Sequence, residues 1–177
     1  MSSSFSRQAA LSLVSWYRAR FHECDPIGHV NNAVLVGMLE QAGMDLIAAG
    51  GFPQSRLRDE FDAVFVVREY DVKFHQPAYE NDVLMVHSTG VEMHGAKAVV
   101  RYELRRLAGD PLALPAATLN PGDAPDPAPE SAMVVSAEST YAFISLSRRR
   151  PARIPDAIID TFFIPAGVVG SQAIAAD

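Results

Sequence analysis

Residues 32–49, NAVLVGMLEQAGMDLIAA, hold beyond the leading Asn32 only Glu40, Gln41 and Asp45 as strongly polar side chains. This stretch narrows the possible folds more than any other. Leu35, Leu39, Ala42 and Leu46 recur at i, i+4, i+7 and i+11, with Val34 and Met38 beside them, which is the stripe of a helix with a wide apolar face. Asn31 or Asn32 supplies the cap at its start. Gly50-Gly51 followed by Phe52-Pro53 supplies a left-handed stop and then a breaker, so the spacing predicts a helix over 32–49, about five turns. A helix this apolar needs a sheet wrapped around it rather than a surface to lie on.

The flanking sequence supplies strands. Leu13, Ser15, Tyr17, Ala19 and Phe21 alternate with Val14, Trp16, Arg18, Arg20 and His22 before a polar turn, His22 to Asn32. After the helix the period is two. Val64, Val66, Arg68, Tyr70, Val72 and Phe74 are expected on one face of a long strand, and Val83, Met85, His87, Thr89, Val91 and Met93 on one face of the next. His94-Gly95 turns tightly into a third strand with Ala98, Val100, Tyr102 and Leu104 on one side. The short connections predict that these three strands are consecutive antiparallel neighbours. A last strand runs from Met133 to Leu146, with Val135, Ala137, Ser139, Tyr141 and Phe143 alternating. Residues 109–130 contain six of the twelve prolines and read as a surface excursion or lid, because proline cannot donate to a ladder. The expected organisation is a flexible segment 1–11, one domain over 12–156 and a tail over 157–177 that packs on a partner or stays loose. The fold class is α+β.

At 177 residues the chain can bury a core without disulfide or metal staples. No apolar run reaches the ~18 residues that a membrane span requires, and the first sixteen residues lack a secretory pattern, so the expectation is a soluble protein with no membrane partner. A single cysteine, Cys24, excludes an internal disulfide framework and suits a reducing cytoplasm. A net charge of −6 argues against nucleic acid as the main partner. The one basic run, Arg148 to Arg150 with Arg153, reads either as a solvated strand end or as a contact for a phosphorylated small molecule. His22, His29, His75, His87 and His94 show no metal-ligand spacing, and no metal is expected.

Strand, long buried helix, then four strands with one insertion is an order that resembles the hotdog fold, a curved antiparallel sheet of about five strands wrapped around one central helix. The resemblance is most specific at Asp25-Pro26-Ile27-Gly28-His29-Val30-Asn31-Asn32 and continues through Leu39-Glu40-Gln41-Ala42, Pro77-Ala78-Tyr79-Glu80-Asn81-Asp82 and Arg153-Ile154-Pro155. These residues are similar to the 4-hydroxybenzoyl-CoA thioesterase and acyl-CoA thioesterase superfamily. The resemblance implies hydrolysis of an acyl-CoA, or of an acyl carrier protein thioester, with coenzyme A as part of the substrate and no separate cofactor. It also implies a dimer or tetramer with the acyl pocket between subunits.

Hydrolysis of a thioester needs an attacking oxygen, something to manage its proton, and donors for the oxyanion. Asp25 is the candidate nucleophile or general base; in the resembled enzymes the aspartate of the matching Cys-Asp-Pro triplet has the catalytic role. The opposing reading is an aspartate that only caps its own turn before Pro26. Backbone N–H groups from Val30 through Asn31 to Asn32, at the positive end of the helix dipole, are the candidate oxyanion donors. His29 orients Asp25 or the substrate, or only stabilises the loop. Plant-type acyl-ACP thioesterases carry a similar string with a further asparagine two residues after the aspartate, but Ile27 stands there in this chain. Val34, Met38 and Phe61 are the candidate acyl-pocket residues, and Lys97 or Arg148 to Arg150 the candidates for coenzyme A phosphates at the rim. Glu40 lies ~12 Å along the helix from its start and reads as structural, hydrogen-bonded beneath the loop or across an interface. Cys24, beside an anion, reads as a packed thiol. The other readings are a non-catalytic hotdog module that binds an acyl thioester or assembles with partners, and a hotdog dehydratase, whose usual Asp/His motif this chain does not show.

Overall fold

A computed structural model describes residues 8–9, 11–107 and 131–164. The proline-rich stretch, the last thirteen residues and the first seven lie outside the described residues. The elements in chain order are β1 (Gln8–Ala9), β2 (Ser12–Arg18), a single 3-10 turn (Phe21–Glu23), α1 (Asn32–Ala49), α2 (Gln54–Phe61), β3 (Ala63–Phe74), β4 (Val83–His94), β5 (Lys97–Arg106), β6 (Ala132–Ser145), β7 (Arg150–Pro151), α3 (Asp156–Phe162) and β8 (Phe163–Ile164). The main sheet is antiparallel in the order β2-β4-β5-β6-β3, with β7 paired to β6. It wraps around α1 as the hotdog arrangement requires.

The helix begins and ends where its local chemistry says it should. Asn31 holds extended backbone and its side chain accepts from Ala33 N at 2.8 Å, satisfying one of the free amides of the first turn. At the far end Gly51 adopts φ +83°, Gly51 N reaches Ala48 O at 2.9 Å and Phe52 N reaches Ile47 O at 3.1 Å, the paired bonds of a Schellman stop. Leu35, Met38, Leu39, Ala42, Gly43, Leu46 and Ile47 are buried against the sheet.

From the sheet, Leu13, Leu84, Val86, Ala98, Val100, Tyr102, Leu104, Val135, Tyr141 and Phe143 complete the core, so the faces expected for β5 and β6 hold, and that for β2 holds until the strand ends at Arg18, beyond which Phe21 is exposed in the 3-10 turn. Those expected for β3 and β4 change partway along the strand. In β3 the register shifts between Val67 and Glu69, leaving Arg68 as the extra residue. Ala63, Phe65 and Val67 therefore face inward before the bulge and Tyr70 and Val72 after it. In β4 the shift falls between Gly90 and Glu92, so Leu84 and Val86 face the core before Val91 and Met93 does so after it.

The expected adjacency of β3 and β4 is overturned. β3 lies at one edge beside β6, and β4 sits between β2 and β5. The connection between them spends its backbone groups on the loop that enters α1 instead of on a hairpin: Val30 N donates to Ala78 O at 2.8 Å, and Asn81 N to Ala19 O at 2.9 Å. Residues 156–163, expected in part as a loose or partner-packing tail, form α3 and the start of β8 and bury Ile158, Ile159, Phe162 and Phe163 in the core. Among the described residues no single helix is long and apolar enough to cross a membrane.

At Gly43 the helix lies against the sheet with no room for a side chain. A Cβ there would meet the hydroxyls of Tyr102 and Tyr141, which hydrogen-bond each other at 2.7 Å, and Ser139 Oγ donates to Tyr102 at 3.2 Å. Burial, with Tyr141 alongside, pushes the Tyr102 phenol well above its usual range, so it stays neutral in the core. Gly43→Ala is expected to cost about 1–3 kcal/mol in chemical unfolding, because two paired hydroxyls must give way together. An unchanged midpoint would contradict this packing.

Candidate functional site

The loop entering α1 is closed on itself. Cys24 and Val30 pair as an isolated bridge, Asp25 N donates to His29 O at 2.7 Å and Gly28 N donates to Asp25 O at 2.9 Å, with Gly28 at φ +85°. The Asp25 side chain lies inside this turn: its Oδ1 accepts from Ile27 N at 3.0 Å and from His29 N at 3.1 Å. Its Oδ2 has no hydrogen-bond partner among the described residues. The turn-capping geometry therefore exists, and it leaves one carboxylate oxygen unspent.

Two of the amides at the helix start are already spent within the protein. Of the three N–H groups expected to face a substrate, Val30 N is committed to Ala78 O and Asn31 N to Glu23 O at 2.9 Å. Asn32 N alone has no acceptor among the described residues. It sits at the first helical position, where the aligned dipoles of α1 leave partial positive charge.

In front of it is a cleft of about 260 Å³ lined by His29, Val30, Asn32, Leu35, Phe74, His75, Gln76, Pro77 and Ala78. His29 and Asn32 are thus brought to one opening, with Asp25 in the adjoining turn. Asn31 caps the helix. Val34 is half-buried against the core and Met38 is buried within it, so neither lines the cleft; Leu35 takes that place. Phe61 packs on Phe52, 6.2 Å between ring centroids, beyond the other end of α1. Glu40 is exposed on the helix surface and not beneath the loop.

The second wall, Phe74 to Ala78, was read from the sequence as a strand end and a turn, with Pro77-Ala78 part of the resembled motif but not assigned to the site. The signal lay in Pro77-Ala78, where a proline and a residue that proves fully buried sit within a turn otherwise rich in exposed side chains. His75 is tied to Ser136 Oγ through Nε2 at 2.8 Å.

Cys24 is poorly placed for attack. Its thiol donates to Arg20 O at 3.6 Å; partial burial, with Glu80, Asp25, Glu23 and Asp82 nearby, pushes the thiol above its ordinary range. Lys97 pairs with Ala142 of β6, whereas the cleft end of the sheet lies at Val135. Seven residues of strand separate them, about 23 Å, so Lys97 is not at the rim of its own cleft.

Solved structures share this architecture. The 4-hydroxybenzoyl-CoA thioesterase from Pseudomonas sp. strain CBS-3 is 22% identical over 86% of this chain and 99% of that one, with a TM-score of 0.69. An aspartate-to-asparagine mutant of 4-hydroxybenzoyl-CoA thioesterase, complexed with 4-hydroxybenzoyl-CoA, is 20% identical over 86% and 99%, with a TM-score of 0.70. A 1,4-dihydroxy-2-naphthoyl-CoA thioesterase from Synechocystis is 15% identical over 85% and 94%, with a TM-score of 0.66. No curated protein matches the chain by sequence. The match of residues 19–162, from the loop before α1 to the last residue of α3, settles the family: this chain belongs to the thioesterase-like superfamily.

Proposed function

We propose that the chain hydrolyses an acyl-CoA thioester at the cleft in front of α1, releasing the free acid and coenzyme A. The observation that carries this reading is the pairing of one unspent amide, Asn32 N, with one unspent carboxylate oxygen, Asp25 Oδ2, on the same loop and helix start. The carbonyl oxygen of the thioester takes its negative charge at Asn32 N–H, where the donor is fixed before the reaction begins. Asp25 either attacks the carbonyl carbon, expelling thiolate and leaving a mixed anhydride for water to open, or removes a proton from an attacking water. The coenzyme A thioesters named for the structural neighbours support coenzyme A as the carrier, with an acyl carrier protein as the alternative.

A second copy of the chain fits this reading. Among the described residues β3 pairs only with β6, so a twelve-residue edge is open to another strand, with Val66 exposed on it. Edge-to-edge pairing would also carry the basic end of a partner, with Lys97 and Arg148 to Arg150, toward the cleft from which the same chain's residues are remote. Sedimentation of the purified chain is expected to give a dimer or tetramer; a monomer at micromolar concentration would contradict the pairing.

One observation favours a non-catalytic thioester-binding module: Asp25 Oδ1 is held by its own turn and the side chain does not line the cleft. Free-thiol release from a panel of acyl-CoAs by the purified protein separates the two. Release supports hydrolysis, and binding without release supports the module.

A further inference from the structure

We propose that Tyr79 is the positioning residue for the His29 imidazole, an inference that rests on the hydrolytic reading of the cleft. His29 is joined to Asp25 only through its main chain, and its ring nitrogens have no hydrogen bond among the described residues. The ring contact that remains is with Tyr79, edge to face at 5.2 Å between centroids and 85° between planes. Such a pair has a preferred geometry and limits the rotamers open to the imidazole. The backbones of the two residues are also bridged, so the contact ties the loop before α1 to the residue that follows the cleft's second wall.

Tyr79 is itself held from behind. Its N–H donates to Asp82 Oδ2 at 2.8 Å, and Asp82 N donates back to Tyr79 O at 3.1 Å. The Arg106 guanidinium stands 5.7 Å from the ring centroid and 3.6 Å from the same Asp82 carboxylate. Asp82 is the less exposed partner, at 13% of its side chain. Arg106 at the end of β5 therefore stands over the aromatic ring, and Asp82, just before β4, holds the Tyr79 main chain and the Arg106 guanidinium together. The tyrosine hydroxyl has no part in this arrangement, so the ring alone should suffice.

A double-mutant cycle on the acyl-CoA that the wild type turns over tests the proposal. Tyr79→Leu is expected to lower kcat about 10-fold with KM nearly unchanged, since a misplaced group costs rate more than binding. Tyr79→Phe is expected to restore the wild-type rate. In a His29→Ala background Tyr79→Leu should cost less than about twofold, because the group it acts through is gone. Equal losses in both backgrounds, or a Tyr79→Phe protein as slow as Tyr79→Leu, would overturn the proposal.

The ring-proton resonances of His29 supply a readout that does not depend on turnover. They should move in Tyr79→Leu and stay in place in Tyr79→Phe, and unchanged resonances in Tyr79→Leu would also overturn it. A wild type that hydrolyses no thioester would remove the functional reading alone and leave these resonances to decide the role of Tyr79.

Discussion

Asp25→Asn is expected to lower acyl-CoA hydrolysis about 10²–10⁴-fold, the range for loss of a positioned base or nucleophile. The substitution is informative because it leaves the turn intact. The amide oxygen of asparagine can accept from Ile27 N and His29 N as Asp25 Oδ1 does, so the loop that places His29 and the helix start keeps its hydrogen bonds. What is lost is the charge and the basicity of the second oxygen. Stability should therefore stay within about 0.5 kcal/mol of wild type while the rate collapses. A variant that turns over normally would reduce Asp25 to a capping residue and remove both mechanistic versions together.

Asn32→Pro is expected to cost about 10²–10³ in kcat, the usual effect of deleting one oxyanion donor. A backbone amide can seldom be removed without breaking a helix, but here the position permits it. Asn32 is the first residue of α1, where proline is well tolerated because its missing N–H has no partner in the helix. The preceding Asn31 has ψ 136°, already in the extended region that a following proline demands. Asn32→Ala, which keeps the amide and loses only the side chain, is the control and should retain most of the rate. If proline and alanine behave alike, the donor lies elsewhere.

These predictions draw on features that were unequally visible in the sequence. The bounds of α1 were legible because they rest on local chemistry, Asn31 at one end and Gly51 with Phe52 at the other. The inward faces of β2, β5 and β6 were legible for the same reason: simple alternation survives along them. It failed in β3 and β4 because the bulges at Arg68 and Val91 are imposed by cross-strand register, which leaves no mark on the alternating pattern itself.

The strand order failed because hairpin reasoning assumes that a connection pairs with its neighbours, whereas residues 76–82 pair with the entry to α1. α2 was missed because Leu57 is its one buried side chain, too little for a period to register. The loop half of the candidate site could be read as a motif, from Asp25 to Asn32. For the opposite wall, Phe74 to Ala78, the sequence offered Pro77-Ala78 but not their place at the cleft, since they reach it only once the sheet has closed around the helix. The narrowing from three amides to Asn32 N required knowing that Glu23 and Ala78 carbonyls occupy the other two.

The most direct test is the structure of the Asp25→Asn protein with an intact acyl-CoA bound. The thioester carbonyl oxygen is expected about 2.7–3.1 Å from Asn32 N, with the carbonyl carbon facing residue 25. A thioester seated away from the start of α1, or a carbonyl oxygen held by some other donor while Asn32 N faces solvent, would contradict it.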